Sequence, residues 1–170
     1  MSLKGKGTEM KATEKSGWRC GPWQDEPDKV QWQDEDTGFL CLVVRGPVGA
    51  LCGYVSVPEG HPWHGIGYSE PLDGTDKNYD DPDWWRKPTP EKVTDVHGGL
   101  TYSGEGVRGA PEGHWWFGFD CAHAGDFAPA MHNLLSWERS MMEPNGDTYR
   151  DLAYVKAECT KLATQLAAVA

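Results

Sequence analysis

His114-Trp115-Trp116-Phe117-Gly118-Phe119-Asp120-Cys121-Ala122-His123-Ala124-Gly125-Asp126 is the stretch on which the fold turns. Its first half is a dense aromatic run of the kind that packs on both faces of a buried strand. Its second half drops to small residues that carry two carboxylates and an imidazole. A strand that ends by carrying polar groups from a core to a rim is a common way to build a site.

Working outward, Phe39-Leu40-Cys41-Leu42-Val43-Val44-Arg45 and Leu51-Cys52-Gly53-Tyr54-Val55-Ser56-Val57 read as two further strands. Gly46-Pro47-Val48-Gly49 between them supplies turn chemistry, which predicts an antiparallel hairpin. Residues 93–104 alternate as a strand would, with a break at Gly98-Gly99 where a bulge or a close backbone approach is expected. Downstream, residues 127–142 predict one irregular helix, ended by Glu143-Pro144-Asn145-Gly146. The last element is an amphipathic helix capped by Asp147 or Thr148, with Leu152, Val155, Cys159, Leu162, Leu166 and Val169 advancing by threes and fours and Tyr154 beside that stripe. The expected fold class is α+β, a mainly antiparallel sheet with long loops, packed by a C-terminal amphipathic helix.

The remaining segments are loop-like. Residues 1–17 are polar and basic without periodicity and read as a flexible arm, leaving 18–170 as one globular domain. Across 18–32 three tryptophans among acids and prolines read as lids over an edge of the core. Residues 66–92 form a long irregular segment, of the kind that serves as a lid or binding surface. Within it Asp83-Trp84-Trp85-Arg86 predicts one short helical turn whose tryptophans anchor the loop to the body.

Composition narrows the function classes. The 170 residues hold 16 Lys and Arg against 26 Asp and Glu, a net charge of −10, which disfavours a nucleic-acid backbone as partner. The acids cluster in residues 25–36 and 70–83, which read as solvated loops; neither has the alternating pattern of a calcium loop. The five cysteines are odd in number and lack a C-x-x-C pair. With no leader-like segment and no apolar run near 18 residues, the expectation is a cytoplasmic protein without a membrane span. Cys41 and Cys52, in apolar strands, read as small core side chains.

Candidate chemistry gathers on histidines and acids. His61-Pro62-Trp63-His64 places two imidazoles in a loop without helical phasing, so at most one of them, His61, is aimed inward. His97 stands at the double-glycine break, where a side chain can be re-aimed into a pocket. Asp120, His123 and Asp126 recur every third residue, and they converge only if Ala122, Ala124 and Gly125 allow a turn. With His97 or His61 they would offer oxygen and nitrogen donors suited to Zn, Mn or Fe. The alternative is structural: Asp126 would cap a helix beginning at Phe127, and Asp120 would hold a tight turn.

Cys52-Gly53-Tyr54-Val55, His61-Pro62, the run His97-Gly98-Gly99-Leu100-Thr101-Tyr102-Ser103-Gly104, the segment 115–126 and Tyr149-Arg150-Asp151-Leu152 resemble a family of small hypothetical proteins from phages, prophages and actinobacteria. The resemblance covers roughly residues 38–166. It implies a phage-type origin and little chemistry, although phage accessory proteins of this size are often counter-defence factors, including ones that sequester cyclic nucleotide signals, acting in the host cytoplasm.

Three readings stand open on the sequence alone. In the first, His61, Trp63, Tyr102 and Arg108, with His97, Asp120 and His123, bind a small polar, nucleotide-like ligand. In the second, Asp120, His123, Asp126 and His97 hold one divalent metal that activates water, with His97, Asp120 and His123 as catalytic groups. In the third, the acidic, Trp-rich surface inhibits a host protein. Oligomeric state is open in all three.

Overall fold

The computed structural model describes residues 11–76, 79–134 and 146–169. Five strands, β1 (Lys29–Gln33), β2 (Leu40–Arg45), β3 (Leu51–Val57), β4 (Tyr102–Gly104) and β5 (Trp115–Asp120), form one sheet in the order β1-β2-β3-β5-β4. Every pairing is antiparallel. Helix α1 is a single turn (Pro90–Val93), α2 spans Pro129–Leu134, and α3 (Leu152–Ala167) lies across β2 and β3. This is the expected α+β architecture.

The period of two in each strand sorts its side chains onto two faces. On one face Cys41, Val43, Leu51, Val55, Phe117 and Phe119 meet Val155, Cys159, Leu162 and Leu166 of α3, all of them essentially without exposure. Gly53 makes that approach possible, because a Cβ there would stand 2.4 Å from the Phe119 ring and 2.8 Å from Cys159 Sγ. The opposite face carries Leu42, Val44 and Trp116, with Tyr54, Tyr102 and Val107 packed against them. β5 serves both, as its aromatic run requires.

The hairpin forms as expected, with β2 and β3 in register from Cys41↔Val55 to Arg45↔Leu51 and the turn closed by Gly46 N–H donating to Ala50 O at 2.8 Å. Several expectations need correction. β1 lies inside the segment expected to be only a tryptophan-bearing lid; Lys-Val-Gln-Trp-Gln alternates with half-buried Val30 and Trp32 between exposed polar residues, which is an edge strand. Residues 93–101 are not a bulged strand. α1 ends there at Val93, Gly99 N–H closes a turn on Val96 O at 2.9 Å, and the first bond to β5 is Thr101 N–H to Gly118 O at 2.9 Å, just before β4.

Neither Asp147 nor Thr148 caps α3. Asp151 does, its carboxylate accepting the Tyr154 N–H at 2.8 Å, while Thr148 is engaged in a parallel bridge with Asp126. Of the helix expected over residues 127–142, α2 is observed and residues 135–142 lie outside the described residues. The turn at Trp84–Arg86 forms with Trp84 half-buried beside the Tyr79 ring, whereas Trp85 is 55% exposed. The segment read as an arm bonds to the body from Thr13, whose N–H donates to Asp28 Oδ2 at 2.7 Å, and Lys15 pairs with Asp28 at 2.9 Å.

Of the cysteines expected in the core, Cys41 is buried and Cys52 is half-buried on the opposite face. Desolvation pushes the Cys41 thiol up to about 12 and the Cys52 thiol to about 11, so neither offers a thiolate at neutral pH.

Candidate metal centre

β5 ends at Asp120, and the loop that follows is closed on itself. Asp126 N–H donates to His123 O at 2.9 Å, while His123 N–H donates back to Asp126 Oδ2 at 3.1 Å. The bridge to Thr148 pins this loop: Thr148 N–H donates to Gly125 O at 2.8 Å and Phe127 N–H to Thr148 O at 3.0 Å. The result is a carboxylate held inward, with only 2% of the Asp126 side chain exposed.

A second loop brings His97 to it. Gly98 (φ 66°) and Gly99 (φ 83°) adopt a left-handed backbone that L side chains rarely take. Gly98 also lies flat against the His123 imidazole, where a Cβ would stand 2.1 Å from Cε1. The double glycine therefore acts as a tight turn stacked on one histidine while it presents another. His97 is clipped to α3 by its N–H, which donates to Glu158 Oε2 at 2.7 Å.

His97 Nε2 lies 2.7 Å from Asp126 Oδ2 and its Nδ1 lies 2.9 Å from the Tyr154 hydroxyl. Arg150 Nε donates to the other oxygen, Asp126 Oδ1, at 2.9 Å, and the guanidinium lies 5.0 Å from the centre of the Tyr154 ring. Burial alone would push the Asp126 carboxyl up. The hydrogen bonds from His97, Arg150 and the His123 amide outweigh it and hold the group below its ordinary value.

His123 completes the cluster. Its Nδ1 is buried and finds no hydrogen-bond partner among the described residues. It faces Asp126 Oδ2 at 3.7 Å and Asp120 Oδ1 at 3.8 Å. Those gaps exceed hydrogen-bond length. Two donors each roughly 2.0–2.2 Å from a shared zinc ion can span at most about 4 Å, so the gap to Asp126 is within the width an ion bridges. His97, His123 and Asp126 together offer three ligand atoms within 4.8 Å of one another. Two imidazoles and one carboxylate are a donor set that could hold a metal ion once His97 Nε2 gives up its 2.7 Å bond to Asp126 Oδ2.

Asp120 is placed differently from the expectation that it joins the ligands. Its oxygens accept from Thr101 Oγ1 and the Ala122 N–H, both at 3.0 Å, so it holds the turn at the rim beside the group. Asp126 does not cap a helix at Phe127, since α2 begins only at Pro129. An open cavity of about 340 Å³ borders the cluster, lined by Ala122, His123, Ala124, Gly125, Asp126 and Ala128 among others.

The remaining candidates lie elsewhere. His61 is buried with both ring nitrogens engaged: the Trp63 N–H donates to Nδ1 at 3.0 Å, so Nε2 carries the proton and meets Leu166 O at 2.8 Å. Trp63 is core, its ring 6.0 Å from that of Phe117 on the α3 face. Tyr102 stacks edge-on with Tyr54 on the opposite face, and Arg108 is exposed in a turn between β4 and β5. These four do not converge. Sequence reasoning missed Arg150, Tyr154 and Glu158 as site residues. Part of the signal was present, since Tyr154 and Glu158 stand one turn apart on α3, whereas Arg150 lies in the loop just before the Asp151 cap.

Comparisons with protein-family models, with curated proteins and with solved structures return no match to this chain.

Proposed function

We propose that the protein is a metal-dependent hydrolase whose divalent ion is held by His97, His123 and Asp126. One observation carries the reading: a buried imidazole nitrogen, His123 Nδ1, has no hydrogen-bond partner among the described residues, yet faces a buried carboxylate at 3.7 Å. An unpaired buried polar atom is costly, and an ion between the two groups removes that cost. Bound there, zinc would supply a water of lowered pKa.

The chain's own residues do the rest. Arg150 occupies Asp126 Oδ1 and leaves Oδ2 to face the histidines. Asp120, about one third exposed and 3.8 Å from His123, is the carboxylate best placed to take a proton at the rim. The cavity walled by alanines and Gly125 gives a substrate access from that side. The aromatic-pocket reading has less support, because Trp63 and Tyr102 lie on opposite faces of the sheet.

The test is calorimetric titration of metal-stripped protein with zinc and with manganese, followed by screening of ester and phosphoester substrates with and without chelator. One ion per chain, lost in His123→Ala, is expected. Absence of stoichiometric binding by the intact protein overturns the reading.

A further inference from the structure

We infer that Tyr154 is the positioning residue that lets His97 exchange its carboxylate partner for a metal ion, by serving as hydrogen-bond partner to either tautomer of that ring. The inference rests on the metal-site reading above. Both ring nitrogens of His97 are engaged, Nε2 with Asp126 at 2.7 Å and Nδ1 with the Tyr154 hydroxyl at 2.9 Å. An ionised carboxylate only accepts, so in the neutral ring the proton sits on Nε2 and Tyr154 O–H donates to Nδ1.

An ion at Nε2 requires that nitrogen bare. The ring stays neutral only if Nε2 gives its proton to solvent and Nδ1 takes one up, with no net change. The new Nδ1–H then needs an acceptor. A hydroxyl meets both demands by rotating about its C–O bond, whereas a carboxylate or an amide N–H in its place would meet only one.

The surroundings hold the ring. The Tyr154 ring is held under Arg150 at 5.0 Å and edge-on to His97, with centroids 5.5 Å apart at 88°. One helical turn on, Glu158 fixes the His97 backbone. Neither ring needs to move. Metal-binding histidines commonly hold their second nitrogen in such a bond, and it sets ring orientation and ligand basicity.

The experiment uses the full chain with ¹⁵N-labelled histidine and zinc alone as the probe. In the metal-free protein His97 is expected as the Nε2–H tautomer, changing to Nδ1–H on zinc loading. Tyr154→Phe keeps the ring and removes only the hydroxyl; it is expected to weaken zinc binding about 10- to 100-fold. Wild-type affinity in Tyr154→Phe, or an Nδ1–H tautomer before zinc is added, overturns the role of Tyr154 and leaves the metal site standing. A wild-type chain that takes up no zinc overturns both. Should Tyr154→Phe fail to fold, the tautomers of the wild-type protein alone decide.

Discussion

Asp126 receives three hydrogen bonds on one nearly buried carboxylate, from an imidazole, a guanidinium and a backbone amide. Replacing it with Ala leaves the largely buried His97 and the partly exposed Arg150 without their acceptor, at an expected cost of about 1–3 kcal/mol. Urea unfolding measures that, and zinc titration of the same variant should show no uptake. Gly98 is the other residue on which the site depends. Gly98→Ala meets a backbone strained for L side chains and the His123 ring at once. It is expected to cost on the order of 2 kcal/mol or more and to weaken zinc binding by displacing His123, readable as a shifted His123 resonance. At this scale the sequence was informative where chemistry has few alternatives. A double glycine beside His97 signals close approach, and Asp-x-x-His-x-Gly-Asp, with its glycine inside the spacing, signals a turn. It left Asp120 open between holding a tight turn and binding a metal, because a carboxylate that closes an Asx turn and one that binds a metal look alike until neighbouring donors are located.

The elements follow from periodicity and local capping. The hairpin was legible because Gly-Pro-Val-Gly between two apolar runs admits little else, and α3 because its apolar stripe recurs over sixteen residues. β1 was obscured by tryptophans, acids and prolines around a short edge strand, and the start of α3 by three possible caps within five residues. Thr148 is taken by the bridge to Asp126, which leaves Asp151 to cap. Asp151→Ala should therefore lower stability by about 1 kcal/mol, whereas Asp147→Ala should leave it within roughly 0.5 kcal/mol, compared by thermal unfolding. Leu162, without exposure at the centre of the contact between α3 and the sheet, is expected to cost about 2–5 kcal/mol when cut to Ala. If Leu162→Ala matches wild type, α3 is not seated on the sheet as described.

On the scale of the whole molecule, one buried cation joins the two ends of the described chain. Arg45 is 2% exposed; its Nε donates to Asp28 Oδ1 at 2.7 Å and its Nη1 to Gly49 O and the Tyr149 hydroxyl, both at 2.9 Å. Tyr149 in turn donates to Glu26, whose other oxygen accepts the Leu152 N–H at 2.8 Å at the start of α3. Burial would raise the Asp28 carboxyl, but Lys15, the Thr13 amide and Arg45 hold it at about 2, against an ordinary value of 3.8. A carboxylate lowered on folding contributes stability that is complete above its unfolded value and lost as pH falls through its folded one. Stability should therefore decline between about pH 4 and pH 2, and in Asp28→Asn this part of the decline should flatten; acid unfolding followed by tryptophan fluorescence checks it. Long-range links of this kind were invisible in the sequence, since nothing local to residue 26 or 45 names a partner more than a hundred residues away.

Because every strand precedes α3 in the chain, translation completes the sheet before its cover exists. While the stretch after β5 is still being made, for a time on the order of seconds at cellular elongation rates, Val43, Val55, Phe117 and Phe119 stand bare on the nascent polypeptide. Glu158 and Tyr154 leave the ribosome later still, so His97 meets these two partners only after the whole sheet has been made. Chaperone capture would fall in that interval, and the ability to take up metal would mark its end.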